Sequence, residues 1–141
     1  MPNAIAGKRL MTNYRFPKAA RLLRPREFDQ VFAARASAAD GSIILYGDYG
    51  VHGCPRLGLA VSRKVGGAVR RNRWKRAVRE AFRQVQSELP PLDLICLPRV
   101  GAVPDVYQLA SSLRALAARI EKRLKSVEDK RRRAVRETRA D

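Results

Sequence analysis

The chain has 141 residues, 45% of them hydrophobic, and its 30 Lys and Arg side chains against 13 Asp and Glu give a formal net charge of +17 at pH 7. This length and apolar content predict one domain with its own core and exclude a globally disordered chain. The charge points to a polyanionic partner, nucleic acid first and an acidic membrane surface second.

Residues 1–20 are interrupted by Pro2, Gly7 and Pro17 and carry Lys8, Arg9, Arg15 and Lys18, which predicts a basic, flexible N-terminal arm. No apolar stretch follows Lys8 and Arg9 as in a secretory signal, and no run of about 18 apolar residues predicts a membrane span. Pro25 to Arg35 reads as a short helix, with Pro25 in the first turn and Glu27 and Asp29 at the end that favours acids. Phe28 and Phe32 are four apart and share a face, and spacing alone makes them core aromatics. Ser42 to Tyr46 predicts a strand, with Ser42, Ile44 and Tyr46 on one face and Ile43 and Leu45 on the other. Gly47 to Pro55 is glycine-rich and reads as a loop. In a second strand, Arg56 to Ser62, Leu57, Leu59 and Val61 share a face. Gly58, Ala60 and Ser62 leave the other face shallow, open either to a ligand or to a packed helix.

From Ser62 to Arg83, nine bases surround a single acid, Glu80. At about 100° per residue, Trp74, Ala77, Val78, Ala81 and Val85 fall on one side of a helix. Arg71, Asn72, Lys75, Arg76, Arg79 and Arg83 fall on the other, with Arg73 at the border. Gly66-Gly67 opens the helix where free N–H groups can meet an anion, and Leu89-Pro90-Pro91 ends it. Surface helices usually space acids to pair with their bases. With Glu80 alone, these cations repel one another unless a polyanion neutralises them, which is the footprint of a nucleic-acid site.

Leu92 to Leu97 is a short apolar strand suited to a central position covered on both faces. Strand, helix and strand in series predict a βαβ unit with parallel strands. After a turn from Pro98 to Pro104, Val106, Leu109, Leu113, Leu116, Ile120 and Leu124 recur at helical spacing. Residues 125–141 are nearly all charged and predict a flexible or frayed tail.

Protein-based catalysis finds no support. Asp40, Asp48, Glu80, Glu88, Asp93 and Asp105 stand singly, His52 is the only histidine, and neither a phosphate loop nor a nucleophile elbow is present. Cys54 and Cys96 lack metal-ligand spacing and read as free thiols, Cys96 buried in its strand. The expectation is therefore no catalytic residue, no metal site and no cofactor held by the protein.

The run from Arg56 to Arg83 closely resembles the bacterial ribonuclease P protein subunit. Arg71-Asn72-Arg73, then Lys75-Arg76 and Arg79-Glu80, preceded by the Ser62-Arg63-Lys64 turn, carry the likeness. Arg21 to Phe32 and Asp93 to Arg99 look like that family's opening and its strand after the helix, so the resemblance spans roughly 21–124. It implies a single-domain α/β (α+β) two-layer sandwich in the order α-β-β-α-β-α, with room for a further short strand. Its small mixed sheet would contain a left-handed βαβ crossover, against the usual hand.

The resemblance also implies a cytoplasmic ribonucleoprotein. Its RNA subunit performs Mg²⁺-dependent endonucleolytic removal of the 5′ leader of precursor tRNA; the protein binds that RNA and the leader, with no obligate protein partner and no membrane. By motif position, Arg70, Arg71, Asn72, Arg73, Lys75, Arg76 and Arg79 would engage the RNA subunit and substrate. Phe28, Phe32, Ile44, Tyr46, Ser62, Arg63 and Lys64 would form the leader cleft, where aromatic stacking tolerates any sequence. This shifts Phe28 and Phe32 from core towards function. Arg63 stands where lysine is usual, and Trp74 where an aliphatic is usual, which demands a larger core. The alternative is a noncatalytic ribosomal-type or RNA-chaperone protein.

Overall fold

The computed structural model describes residues 16–140. Its elements follow in the order α1 (Pro25–Ala33), β1 (Ala36–Ala39), β2 (Ile43–Tyr49), β3 (Arg56–Leu59), α2 (Ala68–Val85), β4 (Leu92–Pro98) and α3 (Val106–Ala140). The sheet order is β1-β2-β4-β3. β1 with β2 and β2 with β4 are antiparallel, and β3 with β4 is parallel, so β3–α2–β4 is the expected βαβ unit inside a mixed sheet.

Alternation on β2 builds two layers on the sheet. Ile43, Leu45 and Gly47 are buried on the face carrying α2 and α3, while Ile44 and Tyr46 are half-buried on the face carrying α1. β4 is central, and Leu94, Ile95 and Cys96 are fully buried, so both of its faces are covered as expected. The main core joins Trp74, Val78, Ala81, Phe82 and Val85 of α2 to Leu109, Leu113, Leu116 and Ile120 of α3. Trp74 is fully buried within it.

Four boundaries differ from the sequence expectation, the first two because backbone pairing overrides local composition. Ala36-Ser37-Ala38-Ala39 has no β-branched residue, yet it pairs along β2 as the further short strand. Gly47, Asp48 and Tyr49 are strand rather than loop because they pair with Leu94, Asp93 and Leu92. β3 ends at Leu59, and Ser62 opens a 3₁₀ turn over Arg63–Val65. α3 continues as helix through the charged segment. Of the expected N-terminal arm, residues 1–15 lie outside the described residues, as does Asp141. Residues 16–20 pack on the domain: Phe16 meets Phe82 edge-on at 5.2 Å, and Ala20 is buried. Both cysteines are free, Cys54 exposed and Cys96 buried.

Candidate nucleic-acid interface

The first surface starts from a charged clamp. Arg56, only 7% exposed, donates from Nε and Nη2 to Asp93 at 2.9 and 2.8 Å, and from Nη1 to Glu27 at 2.8 Å. The other Glu27 oxygen accepts the Leu23 and Arg24 N–H groups, each at 3.3 Å, capping α1. The hydrogen bonds that Arg56 donates to Asp93, aided by the one to Glu27, raise its pKa despite burial. Burial pulls the Glu27 carboxyl up, but Arg56 and the two N–H groups hold it below its ordinary 4.5. One buried guanidinium thus fixes the start of α1 to β3 and β4.

With α1 so placed, Phe28 lies over Gly58. A Cβ at Gly58 would stand 2.7 Å from Phe28 Cζ and 3.0 Å from Leu22 Cβ, so only glycine lets the ring seat. Of the two readings of this shallow strand face, the packed helix holds at Gly58.

Register arranges the rest of this face in rows. Tyr46, Ile95 and Gly58 lie side by side beneath α1, and Ile44 and Leu97 pair in the next row. Ala60 extends that second row, its N–H bonded to the Cys96 carbonyl at 3.1 Å. Ile44, Leu97 and Ala60 are half-buried. Phe32 is 36% exposed and meets Tyr46 edge-on at 5.0 Å. The result is a shallow apolar floor beside an aromatic wall. Phe28, Phe32, Ile44 and Tyr46 thus share one face. Ser62, Arg63 and Lys64 sit instead on the exposed turn from β3 to α2, where Ser62 Oγ accepts the Lys64 N–H at 3.0 Å.

The second surface is the outer side of α2. Arg70, Asn72, Arg73, Arg76 and Arg79 are exposed, and Lys75 is half-buried. Asn72, Lys75, Arg76 and Arg79 line a hollow of about 470 Å³ together with Arg83, Phe16 and Arg21. Arg70 and Arg73 diverge from it, lining a separate hollow by Gly67. Arg71 departs from its expected outward position and is half-buried, because seven and eleven residues on it shares the side of the buried Val78 and Phe82. Glu80 accepts from Arg83 and from Gln84, the latter at 3.0 Å, and these bonds lower its pKa. The single acid of this face is therefore directed to Arg83.

Sequence reasoning missed Phe16, Arg21 and Leu97. Arg21 lies 4.8 Å above the Phe16 ring and donates to its carbonyl at 3.0 Å, which holds the cation at the rim of the α2 hollow. Neither residue carries a periodic signal, and Leu97 is identified only by its register with Ile44. A further hollow of about 250 Å³ is lined by Phe16, Arg21, Phe28, Gly58, Lys75 and Arg79 among others, so the two surfaces meet along the β3 edge.

Among the described residues, no three His, Cys, Asp or Glu side chains converge as a metal site. Glu27 and Asp93 serve the clamp, and Asp40 accepts from Ser112 and from the Ser42 and Ile43 N–H groups. These residues do not form a set that would hold Mg²⁺. No described helix is long and apolar enough to cross a membrane.

The family model described as Ribonuclease P matches residues 16–121. The chain is 39% identical over 108 residues to the ribonuclease P protein component of Cronobacter sakazakii, covering 75% of this chain and 91% of that one. To that of Photorhabdus laumondii it is 42% identical over 92 residues, covering 64% and 77%. A mutant RNase P protein from Staphylococcus aureus superposes with a TM-score of 0.65 at 30% identity, covering 84% of this chain and 97% of that one.

Proposed function

Because the chain belongs to the ribonuclease P protein family, the protein components of a ribonucleoprotein endoribonuclease, we propose that its two surfaces divide the holding of RNA. The cationic side of α2 engages the catalytic RNA subunit, and the face beneath α1 receives the single-stranded 5′ leader of precursor tRNA. The observation that carries this reading is the shared hollow. Phe28, Lys75 and Arg79 all line it, so a strand leaving one surface enters the other.

Each surface suits its task. Arg76 and Arg79 present guanidinium forks to phosphate oxygens, and Asn72 offers a donor and an acceptor together. Phe32, Tyr46, Ile44 and Leu97 offer apolar and π contact without a hydrogen-bonding code, which accommodates leaders of any sequence. Hydrolysis belongs to the RNA subunit with its Mg²⁺; the protein positions the strand and screens its charge.

Precursor-tRNA cleavage at low Mg²⁺ tests this reading, with the protein alone, the cognate RNA alone, and both together. Strong synergy is expected. Tight RNA binding without synergy would favour the noncatalytic RNA-binding alternative, and robust cleavage by protein free of RNA would overturn the proposal outright.

A further inference from the structure

The C-terminal half of α3 belongs to neither surface, and the family match ends at residue 121. The 35 residues of α3 extend about 52 Å at roughly 1.5 Å per residue. Its last buried apolar residue is Leu124, and every side chain from Asp129 to Arg139 is exposed. Between Lys130 and Arg139, six bases accompany one acid, Glu137. Arg132 pairs with Glu128; among the described residues, Lys130, Arg131, Arg133, Arg136 and Arg139 have no ion-pair partner.

Core packing does not explain this segment, and like charges three or four residues apart disfavour it as an isolated helix. Its root is nonetheless held. Tyr49 Oη donates to Glu128 at 3.2 Å, and Arg123 donates to the Ser37 carbonyl. Beside that root lies a groove of about 770 Å³ lined by Arg35, Arg123 and Arg131 and by the carboxylates Asp48 and Glu128, with Tyr49. α3 packs on α2 through its first half, but this root contacts Ser37 of β1 and Tyr49 of β2, toward the sheet edge opposite the β3 edge where the two surfaces meet. Val127 and Val135 are the large apolar side chains exposed on the extension, too few to bury an apolar face in lipid.

We propose that α3 beyond Leu124, with the arginine-rimmed groove at its root, is a second RNA-binding element that grips phosphates of the catalytic RNA at a point remote from α2. This rests on the family reading above. Its cations lose their mutual repulsion when phosphate oxygens replace solvent around them.

The test compares the full chain with a K130Q/R131Q/R133Q/R136Q variant and with a chain ending at Lys125. Binding to the cognate catalytic RNA, transcribed in vitro, is measured from about 50 to 200 mM salt. Both variants are expected to bind at least about tenfold more weakly at low salt, with a log–log salt slope shallower by about 3. Saturating protein should still stimulate cleavage. Equal affinity and slope in all three proteins would overturn the proposal while leaving the family reading intact. Failure of the full chain to stimulate cleavage would instead sink the functional reading on which the proposal rests. Loss of binding to phosphatidylglycerol vesicles with RNA binding unchanged would assign the helix to membranes and overturn the proposal as well.

Discussion

Phe28 and Phe32 share a face of α1, yet their surroundings give them different work. Phe28 is seated against Gly58, whereas Phe32 keeps an exposed edge beside Tyr46. Phe28→Ala should therefore cost about 2–4 kcal/mol of stability in urea titration, near the range for large-to-small core changes. Phe32→Ala should cost under about 1 kcal/mol, as for an exposed position. Instead it should weaken binding of leader-bearing precursor tRNA more than of mature tRNA. An equal loss for both RNAs would remove Phe32 from the leader site. Gly58→Ala adds the Cβ that Phe28 excludes and should destabilise by about 1–3 kcal/mol; an unchanged urea midpoint would mean that α1 rides outward freely. The sequence shows two phenylalanines at helical spacing and a glycine in a strand. Which ring meets that glycine depends on where α1 crosses the sheet, and no local pattern encodes the crossing.

At the scale of elements, α1 depends on the Arg56 clamp more than on its own nine residues, which are too few for a stable isolated helix. Arg56→Ala leaves the Glu27 and Asp93 carboxylates facing each other without their cation, and it should cost about 3 kcal/mol or more. The clamp also predicts a pH dependence. The folded pKa of Glu27 is lowered below 4.5, so its contribution is fully present above 4.5 and is lost as pH falls through the lower folded value. Glu27→Gln should thus lower stability near neutrality, and the gap to the parent should narrow in acid below about pH 4.5. A gap that stayed constant across that window would detach Glu27 from the acid limb. The same scale explains what the sequence made legible. α2 is amphipathic within one contiguous stretch, so its buried side could be read directly from Trp74 to Val85. β1 and the last three residues of β2 could not, because Ala36-Ser37-Ala38-Ala39 and Gly47-Asp48-Tyr49 are strands by virtue of partners distant in sequence.

Across the whole molecule, the two surfaces were legible to different degrees for the same reason. The cationic side of α2 comes from one run of residues, and elementary helix geometry assembles most of it, with Arg71 the exception. The apolar floor is assembled from α1, β2, β4 and the end of β3, and only sheet register brings Ile44 beside Leu97. Resemblance named its aromatic members before any geometry could. The separation of the surfaces has a measurable consequence. Arg76→Gln removes charge from the α2 hollow and should make the salt dependence of RNA-subunit binding shallower by about 1, since each phosphate contact releases counterions. Tyr46→Ala removes a ring from the opposite layer and should leave that slope unchanged. Arg76 does not line the hollow that Phe28 shares with Lys75 and Arg79, so the two substitutions have no common neighbour there. Their costs in precursor-tRNA affinity should add to within about 0.5 kcal/mol in a double-mutant cycle. Arg79 does line that hollow, and Arg79→Gln combined with Phe28→Ala should depart from additivity by more than that margin, because a strand on the proposed path over the β3 edge would touch both side chains at once.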